Sequence, residues 1–187
     1  MHPVLELLAT RARRGARADG ATLALVIEGG GMRGVVSSAM AAAIEARGLT
    51  PCFDLVAGTP PYLHPGSATP PSRVQCGPCH LEIRGGIEDY CVAAARWMAP
   101  GGRFVVCQAA AQVERVLAAA EAAGLGVDAR LDVVPREGKA ALFSVYGMRR
   151  AGERGATAVH PPLVVRDRAG RRTDAFQALR REMGMPP

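Results

Sequence analysis

The chain has 187 residues, of which 49% are hydrophobic and only 4% aromatic, and it carries a formal net charge of +6. At roughly 100–200 residues per domain this is one domain with a tail, its core filled by Ala, Val and Leu. No apolar run reaches the roughly 18 residues of a membrane span, and five cysteines read as free thiols, so a membrane protein, a disulfide mini-domain and a full-size two-domain enzyme are excluded.

Residues 1–20 read as a helix from Pro3 to about Arg14 and a polar linker. Charges follow a short apolar stretch there, the reverse of a secretory signal, which points to the cytoplasm. LALVIE, Leu23 to Glu28, is a continuous apolar run suited to a strand buried on both faces of a parallel sheet. GGGMRG and an Ala-rich amphipathic helix closed by Gly48 follow, then a strand from Phe53 to Ala57. Residues 23–57 thus form a strand–turn–helix–strand crossover. Residues 58–86 are a long Pro- and Gly-rich loop. A helix spans Ile87 to Ala99 and stops at Pro100-Gly101-Gly102. A strand spans Arg103 to Cys107, and a helix Ala109 to Ala123 is capped by Gly124. Val127–Val134 and Ala140–Met148 read as an antiparallel pair around PREGK. Val159 to Val165 is extended, RDRAGRR is a turn, and Asp174 caps a last helix to Met183.

Gly29, Gly31 and Gly34 form G-x-G-x-x-G between a strand and a helix. Glycines permit the tight turn, and a helix N-terminus offers free N–H groups to phosphate, carboxylate or oxyanion. Residues 22–58, LALVIEGGGMRG to FDLVAG, resemble the opening of patatin-like phospholipases. That resemblance implies an oxyanion hole lined by Gly30, Gly31 and Arg33. The family's G-x-S-x-G nucleophile has no counterpart, because TPPYL follows FDLVAG and Ser67 and Ser72 lie in the Pro-rich loop.

From Phe53 to the end the chain resembles class I S-adenosylmethionine-dependent methyltransferases, near the tRNA adenine-N6 and glutamine-N5 enzymes. FDLVAGTPPYL resembles the family's fourth strand and its Pro-Pro-aromatic turn, ARWMAPGGRFVV its fifth strand, and PREGKAALFSVYGM its terminal hairpin. The resemblance implies that Thr59, Pro60, Pro61 and Tyr62 are catalytic. Two prolines fix an extended backbone whose carbonyls accept the N–H bonds of the substrate nitrogen. An aromatic face packs on the planar amide or base and stabilises charge on nitrogen. Thr59 stands where the family has Asn or Asp. The implied cofactor is S-adenosyl-L-methionine, held at Glu28, Gly29, Gly30, Gly31 and Gly34. No metal site is expected.

Only enough chain for one helix separates Gly34 from Phe53, so the family's second and third strands are absent and the chain reads as a patatin-like opening joined to a methyltransferase-like ending. The family order 3-2-1-4-5-7-6 becomes 1-4-5-7-6, a truncated Rossmann-like doubly wound α/β sheet with a C-terminal antiparallel hairpin. LALVIE is then an edge, open to pairing in a homodimer. The expected organisation is residues 1–20, helix and linker; 21–148, the α/β domain (22–58 patatin-like, 53–148 methyltransferase-like); and 149–187, a basic tail with a short helix.

All 23 basic residues but Lys139 are arginine, with four Arg against two acids in 1–20 and nine against four in 149–187. Basic ends on a near-neutral middle suit a polyanion such as RNA, bound through phosphates, or simply keep the protein soluble. Cys76-Gly77-Pro78-Cys79-His80 resembles redox and haem-attachment motifs, but it sits in the Pro-rich loop and reads as coincidence. Three readings remain: N-methylation of RNA or protein, impaired by an incomplete cofactor half; acyl hydrolysis; and a non-catalytic basic module that binds nucleic acid.

Overall fold

The computed structural model describes residues 2–15, 19–26, 42–63, 66, 81–83, 85–153 and 155–186. Helix α1 spans Pro3–Arg14, with Pro3 in the first turn and Gly15 in the left-handed conformation at its end. Strand β1 is Ala24–Val26 and β2 is Leu55–Gly58. Between them residues 42–46 are helical, and Gly48, at φ 66°, ends that helix as expected. Helix α2 is Ile87–Trp97, β3 is Arg103–Ala109 and α3 is Val113–Ala122. The hairpin strands are β4, Leu125–Val134, and β5, Phe143–Arg150. Strand β6, Ala158–Val164, and helix α4, Asp174–Glu182, complete the chain.

These strands make one six-stranded sheet in the order β1-β2-β3-β5-β4-β6. The first three are parallel, β5 runs antiparallel to both β3 and β4, and β6 lies parallel to β4. The expected order 1-4-5-7-6 is present, with β1 at an edge among the described residues and Val26 70% exposed. Residues 149–187 contribute the far edge strand as well as the short helix. Pro161 and Pro162 lie in that edge strand, where a missing N–H does least harm. The β4–β6 register shifts between Leu131 and Val133, opposite those prolines.

Strand β3 alternates strictly between buried and half-buried residues, and it runs two residues further than expected. Phe104 and Val106 share the buried face with Val56, Tyr146 and Met148. Ile87, Cys91 and Ala94 of α2, and Val116, Ala119 and Ala120 of α3, close over that face. Burial pushes the Cys91 thiol up to about 12, so it behaves as a small apolar filler. At the other end of the same helix, Arg150 donates to the carbonyls of Ala95 and Met98 and satisfies the helix C-terminus.

Arg11 is the exception to the solvated N-terminus, being 2% exposed. A guanidinium has five N–H donors, and here all of them are used. Nε and Nη2 donate to the two carboxylate oxygens of Asp19 at 2.8 and 2.7 Å. Nη1 donates to Asp54 and the Cys52 carbonyl at 2.6 and 2.8 Å, and Nη2 also to the Ala21 carbonyl. Asp54 in turn accepts the Leu23 N–H at 2.9 Å. The helix is thereby pinned to the starts of both β1 and β2.

Replacing Arg11 with Met strips partners from two carboxylates and lowers stability by about 3 kcal/mol, read as the urea midpoint. The Arg11 hydrogen bonds hold the Asp19 carboxyl down at about 2 from its usual 3.8. Because the folded value is the lower one, this stabilisation is complete above pH 4 and is lost as pH falls toward 2. Asp19→Asn removes that acid-side slope in denaturation experiments between pH 5 and 2.

Candidate active site

The parallel strands β1, β2 and β3 all end at the same side of the sheet, where ligands of open α/β sheets bind. Strand β2 ends at Gly58, paired with Val106, and Thr59-Pro60-Pro61-Tyr62 turns out from it. Gly58 is required by close packing, because a Cβ there would meet the Tyr90 ring at 2.9 Å. Thr59 is exposed, Pro60 is buried, and Pro61 and Tyr62 are half-buried. The Tyr62 ring stands edge-on to Phe143, centroids 5.5 Å apart and planes at 71°. Phe143 opens β5 opposite Ala109, so this contact joins the turn to the antiparallel half of the sheet.

A second set of contacts holds the backbone beyond the turn. Gln112 Nε2 donates to the Tyr62 carbonyl at 2.9 Å. Arg115 Nη1 reaches Gln112 Oε1 at 3.3 Å from the next turn of helical chain. Arg115 also grips both oxygens of Glu82, at 2.7 and 2.9 Å, and both of Glu88, at 2.7 Å each. The Glu82 N–H donates to the Leu63 carbonyl, and Leu63 bridges to Leu81. One arginine on α3 therefore fixes the segment that braces the turn. Hydrogen bonds from Arg115 to Glu88 and Glu82 push its own titration further up.

A buried polar row lies beside the turn. Gln108, Ser144 and Asp132 are register partners across β3, β5 and β4. Gln108 and Ser144 are fully buried. Ser144 donates to Asp132 at 2.6 Å, and Arg130 grips the same carboxylate at 2.8 and 3.0 Å. Burial pushes the Asp132 carboxyl up, but Ser144 and Arg130 outweigh it and leave it below the usual range. Gln108 Oε1 accepts the Ala109 N–H, while its Nε2 has no partner among the described residues.

Of the expected catalytic residues, Thr59, Pro60, Pro61 and Tyr62 form one continuous turn at this end of the sheet. The expected cofactor residues Glu28, Gly29, Gly30, Gly31 and Gly34 lie outside the described residues, as do Cys76 and Cys79. The last described residue of β1, Val26, pairs with Ala57. The described end of β1 therefore lies one strand spacing, about 5 Å, from the strand that leads to Thr59. Among the described residues no group of three or more His, Cys, Asp or Glu could hold a metal, and no helix is long and apolar enough to cross a membrane.

Gln112, Arg115 and Phe143 were not picked out from the sequence. The three-residue spacing of Gln112 and Arg115 is a usable signal for one helix face, but their partners lie far along the chain. Replacing Arg115 with Met leaves Glu82, whose side chain is 6% exposed, without its bidentate partner. The expected loss is about 2 kcal/mol, less than for a fully buried pair because Arg115 is partly solvated. Hydrogen exchange at Leu63 and Glu82 speeds up in that variant before exchange in β3 does.

The chain matches no family model. It is 29% identical over 134 residues to the tRNA1(Val) (adenine(37)-N6)-methyltransferase of Dickeya chrysanthemi (strain Ech1591), a match covering 70% of this chain and 52% of that protein. The chain spans about half the length of that relative. A crystal structure of a predicted O-methyltransferase from Agrobacterium tumefaciens superposes with a TM-score of 0.50 at 17% identity, covering 94% of this chain and 84% of that one. The complex of M1.HpyAVI with SAM gives a TM-score of 0.41 at 11% identity over 74% of this chain and 66% of that one, too loose to bear on function. At the level of fold, the chain is a mixed α/β protein with a six-stranded, Rossmann-like sheet matching that of the solved Agrobacterium structure.

Proposed function

We propose that the chain acts as an S-adenosylmethionine-dependent N-methyltransferase on RNA, with adenine in a transfer RNA as the acceptor. The observation that carries this reading is the Thr59–Tyr62 turn at the carboxyl end of β2, one strand from the exit of β1. The tRNA adenine-N6 activity named for the Dickeya relative supports the choice of acceptor.

The cofactor supplies an electrophilic methyl group, and Glu28, Gly29, Gly30, Gly31 and Gly34 are the residues assigned to hold it. In this reading the extended Pro60–Pro61 backbone presents carbonyls to the acceptor N–H groups. Thr59 adds one hydroxyl, able to donate or accept. Tyr62, steadied by Phe143 and by the Gln112 bond to its carbonyl, offers ring surface to the base and stabilises positive charge on the nitrogen. With the cofactor bound, the acceptor nitrogen would take the methyl group as that group's bond to the sulfonium sulfur breaks, and would give up a proton to solvent. Acyl hydrolysis finds no support here, since no serine occupies the turn after β2.

Titration calorimetry with S-adenosylmethionine tests the reading. Binding near the micromolar range is expected, and no binding at millimolar cofactor contradicts it. Tyr62→Ala keeps cofactor affinity within about twofold of the parent, because Tyr62 is assigned to the acceptor.

A further inference from the structure

We propose that two turns, residues 135–139 and 166–172, form one rigid basic ledge that holds the phosphate backbone of the RNA substrate; the inference rests on the RNA methyltransferase reading above. Because β5 is antiparallel to β3, the ends of β4 and β6 fall at the same side of the sheet as the end of β2. Both turns therefore lie at the end that carries Thr59–Tyr62.

The two turns are locked together. The Glu137 N–H donates to the Arg166 carbonyl at 2.8 Å, and Arg168 pairs with Glu137 at 3.4 Å. Within the second turn, Asp167 accepts the Arg171 N–H and its Nε, and Arg166 donates to the Gly170 carbonyl at 2.7 Å. Gly138 and Gly170, at φ 80° and 85°, supply the left-handed positions both turns need. The ledge presents Arg136, Lys139, Arg166, Arg168, Arg171 and Arg172 against two acids, Glu137 and Asp167. The Arg168 and Arg171 side chains are each 81% exposed.

Elsewhere in the fold, Arg11, Arg115 and Arg150 are spent on carboxylates and carbonyls. Arg136, Arg166, Arg168 and Arg171 of the ledge are exposed, and Arg172 is half-buried. No aromatic residue occurs in either turn, so the surface suits phosphates rather than bases. Phe143 pairs with Val133, and Val133 with Leu163. Two strand spacings, about 10 Å, thus separate the Tyr62–Phe143 contact from the ledge strand. A strand of RNA held there by its backbone can reach the turn with one base.

The test is anisotropy of a fluorescein-labelled RNA hairpin across a salt series. The triple variant Arg136→Gln, Lys139→Gln, Arg168→Gln removes cations whose only side-chain ion pair among the described residues is a surface one of little structural weight. Arg13→Gln with Arg14→Gln, on α1 at the opposite end of the sheet, is the control. The triple variant is expected to bind at least tenfold more weakly, its log–log salt slope shallower by about two, while the control stays within twofold. Wild-type RNA affinity in the triple variant, or an equal loss in the control, overturns the ledge. Cofactor calorimetry on the same proteins separates the two readings. A triple variant that binds cofactor normally and RNA at wild-type strength sinks only the ledge. A wild-type chain that binds RNA through the ledge but takes up no cofactor sinks only the methyltransferase.

Discussion

Arg11 and its two carboxylates are the constraint on which the rest of the site depends. Among the described residues, strand β1 has three residues and a neighbour on one side only. So short an edge strand cannot fix its own register. Asp54 fixes it, by accepting the Leu23 N–H just before β1 while bonded to Arg11. Asp54 also offers its carbonyl to the Arg103 N–H at the start of β3. One residue thus aligns the starts of three parallel strands, and parallel strands aligned at their starts deliver their ends together. The spacing between the described end of β1 and the Thr59 turn is set at the opposite end of the sheet.

At the carboxyl end the architecture turns on the antiparallel β5 between β3 and β4. It brings Phe143 against Tyr62, and it sends the β4 and β6 turns to the same side. A parallel strand in that place would have put the basic turns at the far end, away from the Thr59–Tyr62 turn. The bracing from α3 serves the same purpose at shorter range, since Arg115 holds Glu82 and Glu88, and Glu82 holds Leu63 just after the turn.

Much of this was legible in the chain itself. Apolar runs and glycine stops placed β2, α2, β3 and α3 to within a few residues, because those signals are local. The strand order followed from the resemblance of TPPYL, PGGRF and the terminal hairpin to one family, and the sheet has that order. What was not legible depends on partners distant in sequence. Arg11 reads as one more solvated arginine until Asp54 is known to lie against it. Arg115 has Gln112 nearby, but Glu82 is 33 residues away. Val159 to Val165 reads as extended, yet the exposed AVHPPLV pattern carries no signal that it lies in the sheet beside β4. The arginines of 149–187 are also divided by the fold. Arg149 and Arg150 bind Asp128 and backbone carbonyls, whereas Arg166, Arg168 and Arg171 are exposed.

The central claim is that the Thr59–Tyr62 turn presents an RNA nitrogen to a methyl donor held after β1. Its most direct test is transfer of a labelled methyl group from S-adenosylmethionine to transfer RNA by the purified chain, followed by nucleoside analysis. The account predicts label on a base nitrogen and at least a hundredfold loss of transfer in Tyr62→Ala. Absence of label from the RNA while the cofactor binds, or undiminished transfer in that variant, contradicts it.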